Sequence, residues 1–338
     1  MAQKVTENNK SPLSFAIIGC GVAANIHADA INQIEGAMLK GVFDLNVTSR
    51  ESFSKKYNIT IYSSLYELLN DTDIDVVCVC TPSFLHAEHT IAALKSGKHV
   101  VVEKPMAMNS ADANAIIKTS QDNGKLVTVI SQIRFSPDVQ KIKDLLQENA
   151  FGKVSLCSLS MNYYRTPEYY SNSNWRGSTS LDGGVLMNQG IHGIDLIEYI
   201  IGPIKEVKGK TGTLVHSIEA PDTAVAILEF ECGALGIIEA STCAYPGFSR
   251  RLKIQGDKGY VVLKENNIEK LMINGEKIID DDNQEVIVDT ANDPTKLLCG
   301  LHMLQLENFI AAINGDETLI ADCYEGKKAI KIIEQIYT

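Results

Sequence analysis

Three polar side chains recur at helical spacing in the apolar stretch LDGGVLMNQGIHGIDLIEYIIG, which runs from Leu181 to Gly202. His192 has Asn188 four positions before it and Asp195 three positions after it, and residues three or four apart share a helix face. Histidine has an unperturbed pKa of ~6.5, so it can accept a proton at neutral pH. A single helical histidine is more often structural, so a catalytic role for His192 depends on a second group elsewhere in the chain.

A charged pair, Glu103 and Lys104, follows three consecutive valines and precedes Pro105. Proline disfavours helix at the residue before it, so Lys104 should be held on an extended backbone where a buried strand ends. Hydride can leave a secondary alcohol carbon only as the hydroxyl proton departs, and a nearby cation stabilises the resulting negative charge on oxygen. The sequence therefore predicts His192 as the base, Lys104 as the cation and Asn188 as the amide that positions the hydroxyl. A surface salt bridge is the alternative for the charged pair.

The elements that must position these groups alternate between strand and helix in the first half of the chain. Short apolar runs such as LSFAII, DVVCVC and HVVVEK are separated by segments with helical spacing. Runs that are apolar on both faces indicate a parallel sheet covered on both sides. We therefore predict a doubly wound Rossmann domain over residues 12–133.

The first strand leads into a glycine-rich turn, GCGVAA, in which Gly19, Gly21 and Ala24 occupy the small positions of G-x-G-x-x-G/A. Small residues there allow a tight turn, a close approach of the backbone to a pyrophosphate, and close packing of helix on strand. The motif is weak alone, but here it follows a strand and opens a helix. The turn predicts a dinucleotide cofactor.

Asp44 ends the next apolar run and favours NAD, because a carboxylate accepts hydrogen bonds from ribose hydroxyls and repels a 2′-phosphate. Arg50, six residues further on, could meet such a phosphate; its alternative is a solvated helix charge. Thr81 and Pro82 end the fourth strand, and His86 just beyond is either a cofactor contact or a surface residue. The predicted cofactor site comprises Gly19, Cys20, Gly21, Val22, Ala23, Ala24, Asp44, Thr81, Pro82, His86, Glu103, Lys104 and Gln132.

Alternating apolar and polar residues dominate the second half, from KVSLCSLSMNYYR to QEVIVDT. Successive strands of this kind with short turns predict a large open, mostly antiparallel sheet in an α/β domain over residues 134–338. An aromatic segment, NYYRTPEYYSNSNWRGSTS, leads into the His192 stretch. We interpret it as the wall of a pocket. Its aromatic rings would cover the apolar faces of a pyranose, and its guanidinium groups would donate to hydroxyls or to an anionic group. The predicted substrate site comprises Lys104, Arg165, Trp175, Arg176, Asn188 and His192.

Composition excludes several other classes of protein. A chain of 338 residues is long enough for two domains, and a net charge of −11 argues against a nucleic-acid partner. No apolar run is long enough to span a bilayer, and MAQKVTENNKSP lacks the apolar core of a signal peptide, so we expect a disordered arm and a cytoplasmic protein. The eight cysteines are scattered without zinc-ligand spacing, which predicts reduced thiols and no metal site.

Several motifs in order, GCGVAA, Asp44, CTPSFLH, EKP and GGVLMNQGIHGID, resemble the Gfo/Idh/MocA oxidoreductases from about Ser14 to the end of the chain. The resemblance implies a Rossmann domain, then an α/β domain whose open sheet often forms dimer or tetramer contacts. It also implies that Lys104 and His192 are catalytic. Family members commonly have aspartate where this chain has Asn188, and an amide cannot relay a proton, which places the base role more firmly on His192.

The NQGIH variant is also similar to members that act at the 3-position of sugars, including nucleotide-linked sugars. We expect an NAD-dependent dehydrogenase that oxidises a secondary ring hydroxyl of a sugar, cyclitol or sugar nucleotide, in a homodimer or homotetramer. Two alternatives remain. One is a glycosidase or lyase in which transient oxidation acidifies a neighbouring C–H bond and the hydride then returns. The other is a non-catalytic nicotinamide-binding regulator, which would not need Lys104 and His192.

Overall fold

The computed structural model describes residues 11–280 and 299–338, which form two β-sheets with helices packed around them. The predicted N-terminal arm, up to Lys10, and the predicted strand QEVIVDT lie outside the described residues. No helix in the described ranges has the length and apolar character needed to cross a bilayer.

The first sheet has six parallel strands in the order β3-β2-β1-β4-β5-β6. This order reverses between β1 and β4, and ligands of open α/β sheets bind where the order reverses. The strands are β1 (Leu13–Ile18), β2 (Ala37–Phe43), β3 (Thr60–Ile61), β4 (Val76–Val79), β5 (His99–Val102) and β6 (Val127–Val129).

Both faces of this sheet are buried. Along β1, Ala16 and Ile18 join one apolar cluster while Phe15 and Ile17 join another on the opposite face. The covering helices follow the strands along the chain: α1 (Val22–Ile31), α2 (Val47–Tyr57), α3 (Leu65–Asn70), α4 (His86–Lys95) and α5 (Ser110–Asn123). The predicted doubly wound fold is confirmed, because burial on both faces is what the continuous apolar runs require.

The second sheet has eight strands in the described residues, in the order β14-β13-β12-β11-β7-β10-β9-β8. Its strands are β7 (Val154–Asn162), β8 (Ile204–Gly212), β9 (Thr223–Phe230), β10 (Leu235–Ser241), β11 (Arg251–Gly256), β12 (Gly259–Lys264), β13 (Asn267–Ile273) and β14 (Glu276–Asp280). Neighbours are antiparallel except β7 and β10, which are parallel. The prediction of a mostly antiparallel sheet is confirmed, and β14 is a strand that the sequence pattern did not indicate.

The helical stretch that carries His192 begins with a π-helical turn. This turn spans Val185–Gly190 and leads directly into α8 (Ile191–Ile201). A side chain at Gly193 would place its Cβ 2.5 Å from the Met161 sulfur and 2.9 Å from Leu159 on β7. The absence of a side chain there lets α8 lie directly on the second sheet, which fixes the height of His192 above it. Two further helices precede α8: α6 (Pro137–Gln147) and α7 (Pro167–Ser171).

The last two helices return to the first sheet. Helix α9 (Gly300–Asn314) buries Leu306 and Phe309 in the cluster that contains Phe15 and Ile17, and α10 (Cys323–Tyr337) packs against α5 and β6. A division into residues 12–133 and 134–338 follows chain order, but these helices complete the packing of the first part from the end of the second.

Candidate active site

A cavity of about 980 Å³ lies between the glycine-rich turn of the first sheet and the α8 region of the second. Its volume is at the upper end of the ~300–1,000 Å³ usual for small-molecule sites. Every residue predicted for the cofactor or the substrate lines this cavity except Ala24, which is fully buried beneath the turn. The sequence therefore identified residues from both halves of the chain that lie around one cavity.

The glycine-rich turn leaves room for a ligand next to its backbone. Gly19 has φ of +95°, and a Cβ there would lie 2.7 Å from the carbonyl oxygen of Cys80. A Cβ built on Gly21 would meet nothing within 4 Å. Gly21 is also the N-cap of α1 and makes no side-chain cap hydrogen bond, so the helix presents its first N–H groups uncapped by a side chain. An open helix N-terminus behind a glycine turn suits a pyrophosphate.

Asp44 stands beside this turn at the end of β2. Its carboxylate accepts hydrogen bonds from the N–H groups of Cys20 and Asn46, each at 2.7 Å. Burial, and next the Asp44 charge, raise the pKa of the Cys20 thiol to about 12. Arg50 donates to the backbone oxygen of Asp44 at 3.2 Å and does not line the cavity. Of these two charged residues, only Asp44 lines the cavity. A site for ribose hydroxyls requires such a carboxylate as acceptor.

His86 is buried, so the surface alternative for this residue is wrong. Its Nδ1 lies 2.7 Å from the carbonyl oxygen of Pro105, and its Nε2 lies 2.7 Å from the carbonyl oxygen of Thr81. Burial lowers the pKa of His86. The ring therefore ties the end of β4 to the segment after β5, and its predicted contact with a cofactor stays a prediction.

Glu103 and Lys104 do not form a surface salt bridge, so that alternative is wrong as well. The Glu103 carboxylate lies 2.9 Å from Nε2 of His27, whose side chain is only 1% exposed. Although burial opposes it, the hydrogen bond with His27 holds the pKa of Glu103 well below its ordinary value. Lys104 instead crosses the cleft, where its Nζ donates to the backbone oxygen of Asn188 at 2.8 Å. Burial lowers the pKa of Lys104, and the negative charge of Glu103 opposes that change.

Asn188 lies in the π-helical turn and is oriented by two neighbours. Its amide nitrogen donates to the carboxylate of Asp182, and its oxygen accepts a hydrogen bond of 2.8 Å from Gln189. Asp182 is 2% exposed and also accepts from the Gly177 N–H at 2.8 Å. Burial raises the pKa of Asp182. The amide at position 188 therefore lies in hydrogen-bond contact with a buried carboxyl group.

His192 follows one turn later and faces the same cavity. Burial, reinforced by the positive charge of Lys104, lowers its pKa well below the ordinary histidine value. The imidazole is therefore neutral at neutral pH and can accept a proton. Asp195 does not share this face: it is buried against Arg134, whose guanidinium donates to both of its carboxylate oxygens, at 2.6 and 3.0 Å. Asp195, the third polar residue noted in this stretch, is therefore a structural residue.

The aromatic segment forms one wall of the cavity. The Arg176 guanidinium stacks 4.2 Å from the ring centroid of Tyr169 and lies 5.5 Å from that of Trp175. Arg165 is buried and donates to the side-chain oxygen of Gln189 at 2.8 Å, so this wall is joined to the π-helical turn. Guanidinium groups beside aromatic rings are suited to recognising a polar or anionic ligand.

Sequence reasoning missed several residues that line the cavity or orient those that do: His27, Asp182, Gln189, Arg250 and His302. The Asp-Gly-Gly sequence that begins with Asp182 was a usable signal, because an acid directly before paired glycines is typical of a turn with a constrained backbone. Arg250 carried no such signal, since it reads as an ordinary polar residue before β11.

A sheet edge that offers a dinucleotide turn, an acid for ribose and a half-buried lysine, facing a neutral histidine across a cleft, defines a nicotinamide-dependent oxidoreductase. The chain belongs to the Gfo/Idh/MocA oxidoreductase family. The family model for its NAD-binding Rossmann fold matches residues 13–131, and the model for its C-terminal alpha/beta domain matches residues 143–338.

Named relatives are dehydrogenases. The myo-inositol 2-dehydrogenase of Thermotoga maritima is 28% identical over 255 residues, which cover 74% of each chain. The D-glucoside 3-dehydrogenase of Escherichia coli is 26% identical and covers 97% of this chain and 95% of its own. The WlbA dehydrogenase of Bordetella pertussis, solved with NADH and UDP-GlcNAcA, superposes with a TM-score of 0.88 at 31% identity, over 97% of this chain and 95% of that one. The protein is an NAD-dependent dehydrogenase.

Proposed function

We propose that this dehydrogenase oxidises a secondary ring hydroxyl of a sugar, cyclitol or sugar nucleotide to a ketone, with Lys104 and His192 as its catalytic residues. The observation that carries the proposal is that Lys104, Asn188 and His192 line the same cavity as the glycine-rich turn. Gly19, Gly21 and Asp44 would hold the cofactor. When bound there, NAD⁺ supplies the acceptor for the hydride.

The protein's own groups manage the proton and the charge on oxygen. His192, neutral because burial lowers its pKa, accepts the proton of the substrate hydroxyl. Lys104 uses one N–H on the Asn188 carbonyl, which leaves two N–H donors for the oxygen as negative charge develops. Asn188, held by Asp182 and Gln189, keeps a free lone pair and one amide hydrogen with which to position that hydroxyl.

Among the three substrate classes, a sugar nucleotide oxidised at the 3-position has the most support. Arg165, Arg176 and Arg250 all line the cavity, and guanidinium groups recognise phosphate and carboxylate in a bidentate manner. Trp175 and Tyr169 offer apolar faces for a pyranose ring beside them. The similarity to a dehydrogenase solved with UDP-GlcNAcA agrees with such a ligand.

The proposal is tested by incubating the enzyme with NAD⁺ and a panel of free sugars, inositols and UDP-sugars, with the absorbance of NADH as readout. We expect stoichiometric NADH with one class, and a ketone identified by mass spectrometry after borohydride or borodeuteride reduction. Cleavage of the sugar without net NADH would instead establish the transient-oxidation alternative. No turnover with any member of the panel would contradict the proposed substrate classes.

Replacing Asp44 by alanine should relax the choice of cofactor. Without the carboxylate, a 2′-phosphate is no longer repelled and the ribose hydroxyls lose an acceptor, so we expect the ratio of kcat/KM for NAD to that for NADP to fall at least about tenfold, or ~1.4 kcal/mol. Initial rates with both cofactors measure this ratio. Because Asp44 also accepts two backbone hydrogen bonds, Asp44→Asn is the matched control that keeps an acceptor oxygen but removes the charge. An unchanged ratio in both variants would refute the role of Asp44.

We propose that the chain forms a homodimer or homotetramer through the outer face of the second sheet. Four apolar side chains on β9 and β10 are 45–61% exposed on that face: Val225, Ile227, Leu235 and Ile237. Their neighbours along the strands are buried on the other face, and Ile227 and Ile237 are direct cross-strand partners. An exposed apolar patch of this kind marks a protein interface.

The interface predicts that Ile227→Lys combined with Ile237→Lys converts the oligomer to monomer. In an assembled oligomer each subunit would bury two ammonium groups against the same two groups of its partner, without a counter-charge. Size-exclusion chromatography with light scattering measures the mass. Tyr66→Lys is the control, since Tyr66 is 78% exposed on α3, which covers the first sheet. A wild-type chain that is already monomeric would overturn this proposal.

A further inference from the structure

Outside the cavity, a histidine, an aspartate and a cysteine meet behind the aromatic wall. The Nδ1 atom of His216 lies 3.2 Å from the sulfur of Cys243 and 3.4 Å from Oδ2 of Asp222. All three donor atoms lie within 4.8 Å of one another. None of these residues lines the proposed active site, so the dehydrogenase reaction does not account for the cluster.

The histidine is already oriented as a ligand. Its Nε2 lies 2.9 Å from the backbone oxygen of Arg165, a carbonyl that can only accept, so the proton resides on Nε2 and the lone pair of Nδ1 points into the cluster. Metal-binding histidines have this arrangement, in which the second ring nitrogen donates to a carbonyl and thereby fixes the tautomer. The ring of Tyr170, with its centroid 4.8 Å from that of His216, restricts the imidazole further.

The other two groups are equally fixed. Asp222 is fully buried and accepts hydrogen bonds of 2.9 Å from the N–H groups of Leu214, Val215 and His216. Cys243 pairs with Tyr164 across an isolated β-bridge, and its N–H donates to the Ser241 hydroxyl at 3.0 Å. Three donors from two segments, the loop between β8 and β9 and the residues after β10, are therefore preorganised without a large loop movement.

We propose that His216, Asp222 and Cys243 bind one Zn²⁺ ion. With Zn–S near ~2.3 Å and Zn–N and Zn–O near ~2.0–2.2 Å, tetrahedral geometry separates neighbouring donors by roughly 3.4–3.6 Å, close to the two distances above. A nitrogen, a sulfur and a carboxylate oxygen suit zinc, and the thiolate disfavours magnesium. On binding, the Cys243 thiol gives its proton to solvent and a water completes the coordination, with no change of oxidation state.

Zinc at this place would stiffen the substrate wall. His216 is bound to the carbonyl of Arg165, which lines the cavity, and Cys243 is bridged to Tyr164 next to it. The expectation of no metal site rested on pairs of cysteines, whereas this cluster uses a single cysteine and ligands from two segments. The site is independent of the proposed substrate.

Binding is tested on the full-length protein after chelator treatment and removal of the chelator. Isothermal titration with ZnCl₂ should give one ion per chain, and Co²⁺ in its place should give the near-ultraviolet absorption of a thiolate–cobalt bond. Cys243→Ala should weaken zinc at least about 100-fold and abolish that absorption. Cys232→Ala, which removes an exposed cysteine, should change neither result, and excess Mg²⁺ should not compete.

Alkylation of the unmutated protein keeps the test decisive if Cys243→Ala does not fold. Iodoacetamide labelling, quantified by peptide mass spectrometry, should be slowed at Cys243 by Zn²⁺, with exposed Cys232 as the internal reference. Labelling of Cys243 that is unaffected by saturating Zn²⁺, or equal zinc affinity in wild type and Cys243→Ala, would overturn the proposal. The cluster would then be a hydrogen-bonded network that only supports the wall.

Discussion

Replacing Lys104 by methionine is expected to lower kcat at least about 10³-fold while the Kd for NAD changes less than about threefold. The ammonium is held 2.8 Å from the Asn188 carbonyl and lines the cavity, where loss of a preorganised donor to a developing oxyanion costs ~10²–10³ in rate. Loss of the charge beside His192 adds to this effect, because the pair acts on one hydroxyl. Steady-state kinetics and titration of cofactor fluorescence measure the two quantities.

The lysine variant needs a control for lost packing, since the Lys104 ammonium also joins the two halves of the cleft. Lys95→Met changes an exposed lysine at the end of α4 and should leave kcat unaltered. A thermal unfolding scan should show that the Lys104 variant is folded. If Lys104→Met turned over at the wild-type rate, the assigned role would be refuted, and His192 would need another partner for the charge on oxygen.

Replacing Arg134 by methionine is expected to lower the free energy of unfolding by about 3–5 kcal/mol. The guanidinium is 1% exposed and makes a bidentate pair with Asp195, and it donates to Glu325 at 3.0 Å and to the Ile320 carbonyl at 3.1 Å. Removing it leaves the Asp195 carboxylate buried and uncompensated, which costs several kcal/mol. Chemical denaturation monitored by circular dichroism measures the change.

Two further variants identify the cause of that loss. Arg134→Met combined with Asp195→Leu should recover a large part of the stability, because the unpaired charge is gone and Glu325, partly exposed, can be hydrated. Lys118→Met breaks an exposed pair with Asp122 and should cost less than about 1 kcal/mol. A loss in Arg134→Met no larger than in the Lys118 variant would mean that the buried pair does not stabilise the fold.

Local sequence patterns were sufficient for the first sheet and its turn. Continuous apolar runs such as the valines of β5 have one stable solution, a strand buried on both faces, so the order of strand and helix followed directly. Gly19 and Gly21 act through their own backbone geometry, which depends little on distant residues. Lys104 and Asn188 also drew attention through local patterns, since Lys104 directly follows a buried strand and Asn188 lies four positions before His192.

Contacts between distant segments could not be found in this way. Asp195 was grouped with His192 by helical spacing, but its partner Arg134 is 61 positions earlier, and only the packing of α8 reveals which side the carboxylate faces. The contact of His86 with the Pro105 carbonyl and that of His27 with Glu103 likewise join residues that are distant in sequence and that the first sheet brings together. The parallel pairing of β7 with β10 is equally a property of topology, since alternation along a strand is the same for either direction.

The return of α9 to the first sheet affects how the chain matures. Leu306 and Phe309 fill the core beside β1, so one side of that core stays uncovered until the segment that contains α9 has left the ribosome. At a synthesis rate of ~5–20 residues per second, the apolar strands made earlier remain exposed to solvent on that face for many seconds. Nascent chains of this protein should therefore depend on chaperones until α9 has been synthesised, and a stop codon just before α9 should produce an aggregating fragment in place of a working nucleotide-binding unit.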